Sequence, residues 1–321
     1  MIKAGIIGGA GYTAGELIRI LINHPEAYIT FIQSTSNAGN PITNVHTDLV
    51  GETDLVFCEK PEFNDVDVIF LCMGHGKSVE FMTQNKLPQH VKVIDLSTDY
   101  RMKRDDHQFI YGLPELQRSE IKNAKYIANP GCFATSIQLA LLPVAAKKQL
   151  KEVHVHAVTG STGAGQASTS TTHFSWRSSN ISVYKAFSHQ HLNEIGQTLR
   201  WLQPGFNAPV NFVPIRGDFP RGIMASVYFE SEMTKEGAKE LFKEFYADHP
   251  FTFVVDKNPD LKQVINTNKG ILHIEKHGNK IHVISMIDNL LKGASGQAVQ
   301  NMNLMFGIDE STGLHLKPVA F

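Results

Sequence analysis

Ile2-Lys3-Ala4-Gly5-Ile6-Ile7-Gly8-Gly9-Ala10-Gly11-Tyr12-Thr13-Ala14-Gly15-Glu16-Leu17 is the stretch whose reading decides the fold. Ile2 to Ile7 is a short apolar run that ends in glycines. From Glu16 to Asn23 the apolar Leu17, Ile20 and Leu21 recur at helical spacing, and Pro25 lies just beyond. Strand, glycine turn and helix in that order are the context a dinucleotide-binding turn requires. Gly8 permits the tight turn, and Gly11 lets a pyrophosphate approach backbone N–H groups at the helix N-terminus. The spacing is G-x-x-G-x-x-A, with Ala14 where a glycine is commoner. Gly8, Gly11, Tyr12, Thr13 and Ala14 are the candidate cofactor-binding residues here. Apart from its flanking strand and helix, the same pattern marks an ordinary glycine turn.

Outward from this unit the first half keeps alternating. Tyr28 to Ile32, Val66 to Cys72, Val91 to Leu96 and Lys125 to Ala128 read as strands. Ser78 to Gln84 is compatible with a helix, and a long helix runs from about Cys132 to Lys147. Such alternation predicts parallel strands with crossover helices, hence a doubly wound Rossmann sheet. After residue 150 the pattern changes. Val153 to Thr159 alternates, Phe212 to Ile215 and Ile223 to Glu230 read as strands, and Thr234 to Ala247 as an amphipathic helix. Ile271 to Glu275 and Ile281 to Ile287 flank His277-Gly278-Asn279-Lys280, a hairpin signal. Hairpin-paired strands predict an antiparallel or mixed sheet, so the second part is an α+β domain. A last helix runs from about Ala294 to Phe306, and Ser168 to Thr172 is a loop.

The chain has 321 residues, enough for about two domains, and 42% of them are hydrophobic, which excludes whole-chain disorder. Thirty Lys and Arg against 31 Asp and Glu give a net charge of −1, so no nucleic-acid or membrane-surface partner is expected. No stretch approaches the ~20 apolar residues of a membrane span. Three cysteines, Cys58, Cys72 and Cys132, are too few for a disulfide framework, so a reducing, cytoplasmic location is expected.

The second strand ends at Gln33-Ser34-Thr35-Ser36-Asn37. An NAD site usually places a carboxylate here for the ribose 2′-OH. Hydroxyls and amides suit a 2′-phosphate instead, so Ser34 and Ser36 join the candidate cofactor residues and NADP (NADPH) is the expected cofactor. The sharpest chemical signal is Asn129-Pro130-Gly131-Cys132-Phe133-Ala134-Thr135. Pro130 and Gly131 break the strand, and Cys132 falls in the first turn of the following helix. There the macrodipole and free N–H groups favour thiolate over thiol, as a covalent nucleophile needs. Cys58 and Cys72 lie in apolar strand-like runs and are expected to be inert.

In His189-Gln190-His191-Leu192-Asn193-Glu194-Ile195, a helix starting near His191 puts Glu194 one turn along, where it can orient that imidazole for proton transfer. His189 and His191 form a His-x-His pair that could also chelate, but no Cys or Asp cluster completes a site, and no metal is expected. His154 and His156 read as a polar sheet face or subunit contact. Thr159 to Gln166 (TGSTGAGQ) is a glycine-rich loop after a strand, and Arg216 and Arg221 bracket Gly217-Asp218-Phe219-Pro220 with guanidinium groups suited to carboxylates and phosphates.

Together these segments resemble the semialdehyde dehydrogenase-like family of N-acetyl-gamma-glutamyl-phosphate reductases, which serve arginine biosynthesis. The likeness runs through Gly8 to Leu17, Asp95 to Met102 (DLSTDYRM), Tyr111 to Leu116 (YGLPEL), Asn129 to Thr135 (NPGCFAT), Gly160 to Gly165, His189 to Ile195 and Asp288 to Met305 (DNLLKGASGQAVQNMNLM). Gln190, Asn193 and Gln166 depart from the family pattern, so a succinyl or other N-acyl group stands as an alternative to acetyl.

The resemblance implies an NADP-binding Rossmann domain over 1–148, completed by a C-terminal helix within 294–321. It also implies an α+β catalytic and dimerisation domain over 149–293, and a homodimer or homotetramer. The implied reaction is reductive dephosphorylation of a small acyl phosphate through a Cys132 thioester, with His191 or, as alternative, His189 moving the proton. Arg101 with Ser97, together with Asn129, Gln166, Arg216 and Arg221, are the candidate substrate-binding residues. Aspartate-semialdehyde dehydrogenase is the nearest rival reading. A metal-dependent hydrolase and a non-catalytic NADP-binding regulator are rivals from other classes.

Overall fold

The computed structural model describes residues 1–319. Two compact units emerge from the packing, one comprising Met1–Pro130 and Ala294–His315, the other Gly131–Gly293 with the described residues from Leu316 onward.

The first unit is built on β1 (Ile2–Ile7), all of whose residues but the half-buried Lys3 are buried, as befits a central parallel strand. It pairs in parallel with β2 (Ala27–Gln33) on one side and β4 (Val68–Leu71) on the other. The short β3 (Phe57–Cys58), then β5 (Lys92–Asp95), β6 (Ile110–Tyr111) and β7 (Tyr126–Ala128) complete an all-parallel sheet of order β3-β2-β1-β4-β5-β7-β6. Helix α1 (Tyr12–Leu21) is the crossover from β1 to β2. It buries Ala14, Leu17, Ile18, Ile20 and Leu21. Helices α2 (Lys77–Gln84) and α3 (Pro114–Asn123) make further crossovers. The strand order reverses between β1 and β4, and the crevice outside the carboxyl ends of such strands is where this architecture binds ligands.

The second unit opens with α4 (Cys132–Ala146), in which Phe133 to Ala145 are all buried. Its sheet is mixed, as the hairpin signal predicted. The strands β8 (Val153–Thr159), β9 (Ser182–Val183), β10 (Val210–Arg216), β11 (Ile223–Glu230), β12 (Thr252–Val255), β13 (Gly270–His277) and β14 (Lys280–Ile287) take the order β12-β13-β14-β11-β8-β10-β9. Strand β8 buries Val153, Val155, Ala157 and Thr159 on one face and turns His154 and His156 to the other. The remaining helices are α5 (Phe174–Arg177), α6 (His191–Leu202) and α7 (Lys235–Tyr246), the last capped by Thr234 accepting from the Gly237 N–H at 3.0 Å. One apolar core joins Phe133, Ile137 and Leu141 of α4 to Phe212, Phe242 and Leu272. That shared core explains why the packing boundary falls after Pro130, whereas the sequence reading placed it after residue 148.

A π-helical turn, Leu291–Ser295, leads the chain back to the first unit as α8 (Gly296–Met305), all ten of whose residues are buried. Its polar side chains are hydrogen-bonded there. Asn301 donates to the Gly112 carbonyl at 2.8 Å, and Asn303 Oδ1 lies 3.2 Å from His24 Nε2. Ala294–His315 thus pack with the first unit. Residues from Leu316 group instead with the second unit, where Asn266 reaches the Lys317 carbonyl. Residues 320 and 321, included in the expected segment, lie outside the described residues. No helix among the described residues is long and apolar enough to cross a membrane.

Candidate active site

The turn after β1 is shaped by contacts that only glycine allows. Gly8 has φ +79°, and a Cβ there would sit 3.0 Å from both the Cys72 carbonyl oxygen and Met73 Cγ. A Cβ on Gly9 would lie 2.2 Å from Ile32 Cγ2. Gly11, by contrast, meets nothing nearer than 4.0 Å and is the N-cap of α1 without any side-chain cap. The first N–H groups of α1 therefore face a space that a Cβ would narrow, the cradle a pyrophosphate needs. Ala14 is fully buried against the sheet, and the Thr13 carbonyl is held by Ser295 Oγ at 2.7 Å. Tyr12 stands exposed at the helix start. His46, absent from the sequence reading, braces the turn with Nε2 2.7 Å from the Gly9 carbonyl oxygen and its ring against Gly15.

At the end of β2, Asn37 Nδ2 donates to Ser34 Oγ and Ser36 Oγ at 3.2 and 3.1 Å. Ser34 is buried and Ser36 exposed. A cleft of about 360 Å³ touches the ends of β1 and β2 and is lined by Ile7, Gln33, Lys60, Phe63, Met73 and Phe81. Phe63 is packed edge-on by Phe31 and Phe81. These features fit a dinucleotide, with hydroxyls at the β2 end itself and Glu59 and Glu80 on the walls of the same cleft.

Cys132 is the first residue of α4, after the extended N-cap Gly131 (φ −71°, ψ 151°), and is half-buried. The Gly131 N–H donates to Glu194 Oε2 at 2.9 Å, which ties α6 to the N-terminus of α4. The other oxygen, Oε1, lies 3.9 Å from His191 Nε2. His191 opens α6 as expected, and its backbone N–H donates to His189 Nδ1 at 3.2 Å. The two imidazoles are 4.6 Å apart between centroids, and Phe133, the neighbour of Cys132, packs its ring against both. Burial, with Lys185 and Arg216 nearby, pushes His189 down to about 4, so its ring is neutral at neutral pH and carries its proton on Nε2. Tyr184 also faces this cluster. Burial first and then the Cys132 charge push its phenol up to about 12, while Arg216 opposes them from 4.6 Å over the ring.

The two arginines that the sequence left equivalent are now distinct. Arg221 is committed to the buried Asp288, with Nη2 2.9 Å and Nε 3.1 Å from Oδ2. Arg216 stacks on Tyr184 and keeps a buried Nε with no hydrogen-bond partner among the described residues. Beside it is Arg177, whose guanidinium donates to the carbonyls of Arg216 and Asn180 and to Ser182 Oγ. Two guanidinium groups thus neighbour the cysteine cluster, that of Arg177 held by its carbonyl acceptors and that of Arg216 with its Nε unpartnered among the described residues.

Gln166 is exposed on its loop. Arg101, Ser97 and Asn129 are buried and tied into the loops around them. Arg101 donates to the carbonyls of Asn129 and Leu96 at 2.9 and 3.0 Å. Ser97 Oγ donates to Asp95 Oδ2 at 2.8 Å, and Asn129 bridges the Ala294 carbonyl and Asn301. What they fix is the loop that leads into Cys132.

Sequence reasoning missed Tyr184, Arg177 and Gly293. The first two sit just past β9 and at the end of α5, elements too short to carry a periodicity that would aim them. Gly293 lies in the π-helical turn, a geometry no pattern announced. A Cβ on Gly293 would stand 2.7 Å from Cys132 Cβ and 3.1 Å from its Cα. Gly293→Ala is therefore expected to displace the nucleophile, lowering kcat and costing about 1–3 kcal/mol in stability, the usual range for overpacking. Denaturant midpoints and steady-state rates check this, and wild-type values in both would show that the contact imposes no constraint.

A Rossmann nucleotide cradle followed by a cysteine at a helix start with paired histidines is the arrangement of a cysteine-dependent dehydrogenase of the dinucleotide-binding class. Residues 3–124 match the semialdehyde dehydrogenase NAD binding domain, and residues 132–289 match the semialdehyde dehydrogenase dimerisation domain. Proteins named N-acetyl-gamma-glutamyl-phosphate reductase are similar over the whole length. Those of Parabacteroides distasonis and Bacteroides fragilis are 58% and 59% identical over 322 residues, covering 100% of both chains. That of Flavobacterium johnsoniae is 54% identical, again with full coverage. Among solved structures, aspartate semialdehyde dehydrogenase II of Vibrio cholerae superposes with a TM-score of 0.75 at 16% identity, covering 96% of this chain and 98% of the other, a likeness of fold. The chain belongs to the semialdehyde dehydrogenase family, in the branch of the N-acetyl-gamma-glutamyl-phosphate reductases. It carries that family's nicotinamide dinucleotide-binding and dimerisation domains.

Proposed function

We propose that the chain reduces N-acetyl-glutamyl 5-phosphate to N-acetyl-glutamate 5-semialdehyde with NADPH, as a cytoplasmic homodimer or homotetramer. The observation that carries this reading is the placement of Cys132 at the N-terminus of α4, with Glu194 bonded to the preceding N–H and within reach of His191. The helix terminus favours the Cys132 thiolate. Its Sγ attacks the acyl carbon, the C–O bond to phosphate breaks, and phosphate leaves with the bonding pair. A thioester on Cys132 remains. His191 protonates the acyl oxygen as the thioester is reduced and recovers that proton when the C–S bond breaks, and Glu194 stabilises its imidazolium form. Arg216, backed by Arg177, holds an anionic group of the substrate. Gly8, Gly11 and the first turn of α1 would hold NADPH, which when bound would supply a hydride to the thioester carbon; the C–S bond then breaks, releasing the aldehyde and restoring the Cys132 thiolate. Tyr12, Ser34 and Ser36 line the cofactor's approach and its 2′-phosphate.

A phosphate-dependent NADP reduction assay with N-acetyl- and N-succinyl-glutamate semialdehyde side by side tests the reaction and the acyl group together. Activity with the acetyl substrate is expected. Preference for the succinyl substrate would move the assignment, and activity with neither would overturn it. NADPH is expected to be preferred over NADH by at least about tenfold in kcat/KM, or ~1.4 kcal/mol. The Ser34 to Asn37 segment offers donors and no repelling carboxylate. A ratio near one would mean that this segment does not read the 2′-phosphate.

A further inference from the structure

We propose that the β13–β14 hairpin carries a divalent transition-metal site formed by Glu275, His277 and His282, on the sheet face turned away from α4. One ligand atom from each of these residues lies within 4.8 Å of the other two. His277 Nε2 and His282 Nδ1 are each 3.2 Å from the same carboxylate oxygen, Glu275 Oε2. A tetrahedral ion with bonds of about 2.0–2.1 Å separates its ligands by about 3.3–3.4 Å, so two edges of that tetrahedron are already formed.

The hairpin register holds the three side chains together, because Glu275 pairs directly with His282 and His277 with Lys280. Outer contacts fit the same assignment. His282 Nε2 lies 2.8 Å from Ser226 Oγ, so when Nε2–H donates there, the Nδ1 lone pair turns to the metal position. His154 and His156, further along the same face, are stacked on Tyr228 and remain outside the set.

Two imidazoles and one carboxylate suit Zn²⁺ and its neighbours in the first transition row, with water completing the shell, and exclude an all-oxygen preference for Mg²⁺ or Ca²⁺. The site is far in sequence from the cysteine cluster and is independent of turnover.

The test uses untagged, chelator-treated full-length protein titrated with Co²⁺, followed by its visible d–d bands and by competition with Zn²⁺. Saturation at a single Co²⁺ per chain with a tetrahedral spectrum, and a Zn²⁺-dependent rise in Tm, are expected. His277→Ala, at the exposed hairpin end, is expected to weaken binding by roughly 100-fold or more, and Ser226→Ala by about tenfold, as outer-shell partners do. Exposed His90→Ala is the control and leaves binding unchanged. No saturable Co²⁺ spectrum, or equal binding by wild type and His277→Ala, overturns the proposal. Circular dichroism and unaltered turnover of His277→Ala establish that a loss of binding is not a loss of fold.

Discussion

Cys132→Ser is expected to lower kcat by roughly 10⁴-fold or more while leaving NADPH binding intact, the scale seen when a covalent nucleophile is removed. The hydroxyl offers no accessible anion at neutral pH, so the helix N-terminus has nothing to stabilise. The cradle formed by Gly8 and Gly11 belongs to a different part of the chain and is untouched by the change. Cofactor binding, read by fluorescence titration, then separates lost chemistry from lost structure. Selective alkylation gives a second reading. Burial pushes the Cys72 thiol up to about 12 and also raises Cys58, and both therefore stay protonated. Iodoacetamide is expected to label Cys132 first in the native protein. Equal labelling of all three cysteines would sink the activated-thiolate assignment.

The fold was legible where side chains repeat with a period. The apolar β1 run and the alternation of β8 reported their burial directly. Ile223 to Glu230 became a strand with those same ends, because a half-buried strand writes its pleat into every second residue. Turn chemistry was equally readable, as the His277-Gly278-Asn279-Lys280 hairpin shows. Strands of two residues, such as β6 and β9, have no period to detect.

The candidate site was legible only in part, for a related reason. Cys132, His191 and Glu194 sit at a helix start, whose signals are local. Arg101 and Ser97 lie in a family motif that itself contains their partners Leu96 and Asp95, yet the Asn129 carbonyl that also claims Arg101 comes from 28 residues further on and is brought there only by folding. Likewise nothing within the Arg216 to Arg221 segment could tell its two arginines apart. The partner that decides is Asp288, 67 residues beyond Arg221.

His191→Ala is expected to lower kcat by roughly 10² to 10⁴, the usual loss of general acid–base catalysis, whereas His189→Ala is expected to raise KM more than it lowers kcat. The carboxylate of Glu194 separates the two roles. Glu194→Gln keeps an acceptor for the Gly131 N–H but removes the charge 3.9 Å from His191, so an intermediate loss of kcat with little loss of stability is expected. Glu194→Ala also leaves that buried N–H unpaired and is expected to cost a further ~1–3 kcal/mol of stability. His189 has a different signature. Its folded value, about 4, lies below the ordinary 6.5, so the unfolded chain takes up the proton first as pH falls. The stability that neutral His189 permits is fully present above pH 6.5 and is lost progressively toward pH 4, by at most about 3 kcal/mol. In His189→Gln, which cannot titrate, that part of the acid slope in denaturant midpoints is expected to disappear, while His191→Ala retains it. A nearly inactive His189→Ala beside a nearly wild-type His191→Ala would exchange the roles. Wild-type rates in both would leave the proton to another group and make the pair a packing element between α4 and α6.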